Sequence, residues 1–149
     1  MATDCAKSPE TARTALIQMN IVYDDESFLK CVEDGNNAAV KLFLEAGIHL
    51  DAKTKYDATA FMLAAHNGHV EILKLLLAAG VDVNACSEDG VTALMAASYA
   101  GHADVVELLL AQGADVYARS SSGLTALFLA ENNKYFGVAT LLKNAGATE

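Results

Sequence analysis

The sequence predicts an all-α solenoid of stacked helix-turn-helix units with β-turn fingers, opened by a short N-terminal capping helix. Three observations predict it. First, sliding the chain 33 residues against itself brings Thr59, Thr92 and Thr125 into register, and likewise Gly47, Gly80, Gly113 and Gly146. His69 then matches His102, and Asp82 matches Asp115. A fixed period of this size marks a repeat architecture. Second, an apolar pattern recurs at the same step. Ile72, Leu73, Leu75 and Leu76 become Val105, Val106, Leu108 and Leu109, then Val138, Ala139, Leu141 and Leu142. One helix pair cannot bury these side chains alone, so each unit must stack on the next. Third, the chain is 53% hydrophobic and 19% charged with a single Pro, the balance of a folded rather than a disordered chain.

The elements follow in order. Residues 1–8 are polar and expected to be loose. Ser8-Pro9-Glu10 then supplies a hydroxyl cap, Pro at the first helical position and an acid in the first turn. Ala12, Ala15, Leu16 and Met19 form one apolar stripe, so residues 9–19 read as an amphipathic helix covering the first repeat. Residues 1–22 thus make an N-terminal tail and capping helix, and residues 23–149 make four repeats. Their approximate bounds are 23–53, 54–86, 87–119 and 120–149. In the first, Asp24 and Asp25 cap a helix over Glu26–Glu33, Gly35 breaks it, and a second helix over Ala38–Glu45 closes at Gly47. In the others a Thr caps the first helix and a Leu-rich second helix ends near Gly. The chain then turns through VDVNA or ADVYA into an extended finger too short and polar for a packed sheet.

The motif Asp89-Gly90-Val91-Thr92-Ala93-Leu94-Met95-Ala96-Ala97, then Gly101-His102, then Leu108-Leu109-Leu110-Ala111-Gln112-Gly113-Ala114-Asp115-Val116, resembles the ankyrin repeat. Residues 59–85 match as closely, and the resemblance covers roughly residues 23–149. The family's TPLH stands here as TAFM, TALM and TALF, without the Pro and His, which leaves the family's hydroxyl–imidazole contact without its imidazole. TALM-type repeats behind a helical lead-in look like bacterial ankyrin proteins. The small slots Ala64-Ala65 and Ala97-Ser98 allow first helices to approach closely. Polar residues enter at the end repeats. Lys30 takes the slot of Leu63, Ala96 and Leu129, Lys143 that of Leu44, Leu77 and Leu110, and Glu131 that of Ala65 and Ser98. These read as capping substitutions, and with the stop at Glu149 they predict a complete stack.

Nothing in the sequence points to turnover or to a cofactor. It has no phosphate-cradling Gly-rich loop, no GxSxG and no HExxH. His66 and His69 are three apart, but His69 recurs as His102 beside the interhelix Gly, so the repeat explains it and no metal is expected. Asp82, Asp115 and Asn84 read as turn residues bonding backbone. Cys31 reads as a small buried group, and Met62, Met95 and Phe128 as one packing slot. A net charge of −9 argues against nucleic-acid and anionic-membrane binding. No run approaches a membrane span, and MATDCAKSPE has no apolar core behind a basic start, so no secretory signal is expected. Cys5, Cys31 and Cys86 are odd in number and widely spaced, which predicts reduced thiols and a cytoplasmic location.

The expected function is therefore protein binding, as adaptor or inhibitor, by a monomer without catalytic activity. In ankyrin proteins the variable finger and first-helix positions commonly carry the contacts, so the resemblance implies a concave strip here. Its candidate contacts are Lys55 and Tyr56 on the first finger, Glu88 and Asp89 on the second, and Arg119 on the third, with His66, Asn67, Tyr99, Asn132 and Asn133 on first helices. Val91, Ser121, Ser122 and Leu124 occupy further finger slots, and Tyr117 is placed at the edge of the strip. Tyr99 is its centre, because Tyr offers a large contact area for little lost rotamer freedom. The alternatives are self-association, suggested by Phe128, Tyr135 and Phe136 near the C-terminal end, and a small-molecule site, which needs a deep polar pocket.

Overall fold

The structure, a computed structural model, describes residues 8–148; Cys5 and Glu149 lie outside them. Among the described residues, nine helices run in sequence: α1 (Pro9–Gln18), α2 (Asp25–Asp34), α3 (Asn37–Glu45), α4 (Ala60–Asn67), α5 (Val70–Ala78), α6 (Ala93–Ala100), α7 (Ala103–Ala111), α8 (Ala126–Asn132) and α9 (Phe136–Asn144). Helices of this length are marginal alone in water, so packing must hold them. First helices α2, α4, α6 and α8 stack in one layer, and second helices α3, α5, α7 and α9 in another. Helix α1 packs on α3 at the N-terminal end.

Local chemistry fixes the ends. Thr59, Thr92 and Thr125 each accept from the backbone N–H three residues on, at 3.3, 3.3 and 3.1 Å. In the first repeat Asp24 does the same for Ser27 at 2.7 Å. The turn between the two helices of each unit requires left-handed backbone. Gly35, Gly68 and Gly101 supply it with φ between 75° and 80°, and Lys134 holds the same slot at φ 64°. Asp57 likewise takes φ 62° at the finger slot of Gly90 and Gly123. The fold imposes this dihedral on an L-residue at roughly 1–2 kcal/mol.

One interior runs through the stack. Ile72, Leu73 and Leu76, then Val105, Val106 and Leu109, then Val138, Ala139 and Leu142 are all buried, in the same cluster as Phe28 and Phe43. Ala64, Ala65, Ala97 and Ser98 are fully buried where first helices meet. Tyr23 docks the N-terminal end: its hydroxyl donates to Ala46 O at 3.1 Å, its ring stacks on Phe43 at 5.7 Å, and Arg13 lies over it at 4.4 Å.

Three packing expectations change. Met19 is exposed, because it caps the C-terminus of α1 rather than continuing the Ala12–Leu16 stripe. Phe128 is 51% exposed where Met62 and Met95 are 5% and 1%, because among the described residues no further helix pair lies over it. Lys30 is not an end cap. Its slot lines the finger side in every repeat, where Leu63, Ala96 and Leu129 stand, and water reaches it. By contrast, Lys143 and Glu131 do behave as polar outer residues and pair with each other at 2.8 Å.

Candidate functional site

Fingers project between helix pairs, and two of them close as antiparallel bridges, Lys53 with Thr59 and Cys86 with Thr92. Each finger is tied to the next. Glu88 N–H donates to the Asp57 carboxylate at 2.6 Å, and Ser121 N–H donates to Asp89 O at 2.8 Å. Asp57 also pairs with Lys53 at 2.7 Å. That ion pair, and then the Glu88 N–H, hold the Asp57 carboxyl below the usual carboxylate range, while Asp57 raises Lys53.

The first helices are registered by a second set of bonds, directed at equivalent carbonyls. His69 Nε2 bonds Glu33 O at 3.0 Å and His102 Nε2 bonds His66 O at 2.9 Å. A carbonyl only accepts, so both imidazoles carry the proton on Nε2. The next carbonyl is that of Tyr99. Tyr135 stands in the His slot there and its ring lies over Gly101, so the Asn133 amide donates to Tyr99 O instead, at 2.8 Å. On the opposite edge, Asn84 donates to Gly113 O at 3.2 Å and accepts from Asp115 N–H at 2.7 Å. Asp82 and Asp115 cap their own turns at Asn84 and Tyr117.

Between fingers and first helices lie two grooves. The first, of about 1140 Å³, is lined by the 20–22 segment, α2 and the first finger, including Lys55 and Tyr56. The second, of about 530 Å³, lies between the second and third fingers and against α6 and α8. It brings together His66, Asp89 and Tyr99 with Val91, Leu124, Leu129 and the Ser120–Ser122 run. The His66 and Tyr99 rings stack with centroids 6.1 Å apart and planes 22° apart. In the first groove Lys55 covers the Tyr56 ring at 5.0 Å.

The remaining candidates fall elsewhere. Asn132 and Asn67 line neither groove. Arg119 donates to Gly123 O of its own finger at 3.2 Å. Glu88 is exposed on the second finger beside Asp89. Asn133 is committed to Tyr99 O, and Tyr117 does not join the strip but sets its hydroxyl against the Gly146 turn. Ser120 and Leu129 also line the groove; for Leu129 the mixed Lys30, Leu63, Ala96, Leu129 slot is the sequence signal, while Ser120 carries none.

The chemistry on offer is recognition. Both grooves are open, and His66 and His69 point their rings to different tasks, stacking on Tyr99 and bonding Glu33 O. Cys31 and Cys86 are free thiols, the first buried, and burial with Asp34 nearby pushes its thiol pKa up. Among the described residues no helix is long and apolar enough to cross a membrane. A search of curated proteins returns no match. A family model described as ankyrin repeats in three copies matches residues 9–86, 28–120 and 81–148. Stacked helix pairs, Thr caps, bridged fingers and that match together place the chain in the ankyrin-repeat family.

Proposed function

We propose that this protein is a non-catalytic adaptor or inhibitor that covers a partner protein with its finger and first-helix face, acting in the cytoplasm as a monomer. Ankyrin repeats are in general protein–protein interaction modules. The observation that carries the reading is Tyr99, 53% exposed and stacked on His66 in a groove between fingers. With Val91, Leu124 and Leu129 around it, that ring makes a contiguous apolar patch of the kind that marks a partner site. Rigid stacking also means little ordering entropy is lost on binding.

Lys55, Tyr56, His66, Glu88, Asp89, Tyr99 and Arg119 form the proposed contact surface, with Asn67, Asn132 and Asn133 along its helix-end border. The test is capture from source-cell lysate. Alanine at Tyr56, His66 and Tyr99 together is expected to abolish capture of the natural partner and leave the melting curve nearly unchanged. Capture equal to wild type overturns the assignment. A second reading, self-association, is favoured by Phe128 and by Phe136, 65% exposed at the C-terminal end. A monomer mass independent of concentration in sedimentation disposes of it.

A further inference from the structure

The two grooves differ in charge. The first is balanced: its lining holds Asp25, Glu26 and Glu33 against Lys30, Lys53 and Lys55. Lys30 is paired with Asp34 at 3.2 Å, Lys53 with Asp57, and Lys55 covers Tyr56. The second groove has a single charged side chain in its lining, Asp89. The repeat explains the contrast. At the finger tips Lys55-Tyr56 becomes Glu88-Asp89 and then Ser121-Ser122, while Cys86 and Gly90 stand where Lys53 and Asp57 pair in the first finger. The second finger therefore gained acid and lost its internal cation.

Lys53 lies close enough to Glu88 to feel its charge, but among the described residues nothing answers the charge of Asp89. The Asp89 carboxylate has no hydrogen bond or ion pair among the described residues, and only its backbone carbonyl is engaged, by Ser121. Arg119, on the adjoining finger, turns to Gly123 O instead. Tyr99 has His66 on one face, and among the described residues no cation lies over it, unlike Tyr56. Around these groups Val91, Ala96, Leu124 and Leu129 are half-buried aliphatic surface.

Resting on the protein-binding reading above, we infer that the groove between the second and third fingers takes a partner-protein segment in which a cationic side chain, arginine by preference, is flanked by aliphatic residues. The guanidinium packs on the Tyr99 ring and meets the Asp89 carboxylate, while its neighbours cover Val91, Leu124 and Leu129. Arginine suits both contacts, because its planar group stacks on aromatics and bonds carboxylates in a bidentate fork. The chain's net charge of −9 adds long-range attraction for such a segment.

The probe is a random linear peptide library displayed on phage and selected on the full chain at low ionic strength. Enriched peptides are expected to place Arg, or less often Lys, beside aliphatic residues. A synthetic peptide from that set is expected to bind Asp89→Asn about tenfold more weakly than wild type, the loss of one charge-assisted bond. Its Arg→Gln version should lose as much on wild type and little more on Asp89→Asn. Asp89 makes no side-chain bond among the described residues, so the variant should melt like wild type. Peptides that ignore Asp89→Asn but fail on the Tyr56, His66 and Tyr99 triple alanine variant overturn the cationic inference and leave the groove reading standing. Peptides that bind both variants as well as wild type overturn both. No enrichment, or enrichment of acidic or uncharged sequences, also overturns the inference.

Discussion

Gly101 is the position at which one added methyl group tests how the last unit is attached. It has φ +80°, and a Cβ there would stand 2.6 to 2.7 Å from three ring atoms of Tyr135. Two costs follow for Gly101→Ala. The left-handed backbone costs about 1–2 kcal/mol for any L-residue. Overlap with the ring adds about 1–3 kcal/mol, the usual range for an extra group forced into a packed contact. Gly123→Ala isolates the first cost, because Gly123 has φ +79° and nothing within 4 Å of an added Cβ. Gly101→Ala should therefore be the more destabilising by about 1–3 kcal/mol. In a Tyr135→Ala background the excess should vanish, so the pair couples by that amount. The assay is urea unfolding followed by circular dichroism, reading midpoints at unchanged slope. If the two glycine variants are equally destabilised, or the cycle is additive, Tyr135 does not sit over the turn and the account of the third junction fails.

Three further outcomes are expected. The depressed Asp57 carboxyl contributes stability above its unfolded value and loses it as pH falls through the lower folded one. Asp57→Asn should flatten the acid limb of a stability–pH curve below about pH 4, and Asn tolerates the same left-handed backbone. A limb identical to wild type refutes the Lys53 pairing. Cys31, buried and with a raised pKa, should resist a disulfide exchange reagent in the folded protein at mildly alkaline pH, while exposed Cys86 reacts. Peptide mass mapping reads which thiol is labelled, and equal labelling refutes the burial. Asn133→Ala should cost about 1 kcal/mol, the net worth of its bond to Tyr99 O, while Asn132→Ala stays within about 0.5 kcal/mol. Thermal melts compare them, and equal midpoints would mean that Asn133 holds nothing.

The neighbouring pair Asn132 and Asn133 shows where sequence reading stops. Both stand at variable slots, and variation alone assigns both to a partner. The structure separates them because a carbonyl one unit earlier needs a donor once Tyr135 replaces His. The same limit applies to Phe128, read as packing from the slot of Met62 and Met95 and found exposed, with no further helix pair over it among the described residues. It applies to Lys30 too, whose slot faces the groove rather than the end of the stack. Conversely, the missing Gly at Asp57 is plain in the sequence, but not that its carboxylate bridges Lys53 and the next finger.

By itself the sequence determined the period, the caps, the helix pairs and the buried leucines, because each follows from neighbours along the chain or from a spacing of 33 residues. Only the tertiary structure decided which carbonyl each side chain serves, which slots face water, and that Asp89 stands in its groove without a counter-charge among the described residues. Those depend on distances between residues of different units, and a repeat fixes which slots adjoin without fixing which of two adjoining side chains takes a bond. Local pattern thus sets the fold, while competition among side chains across each junction sets the surface that a partner meets.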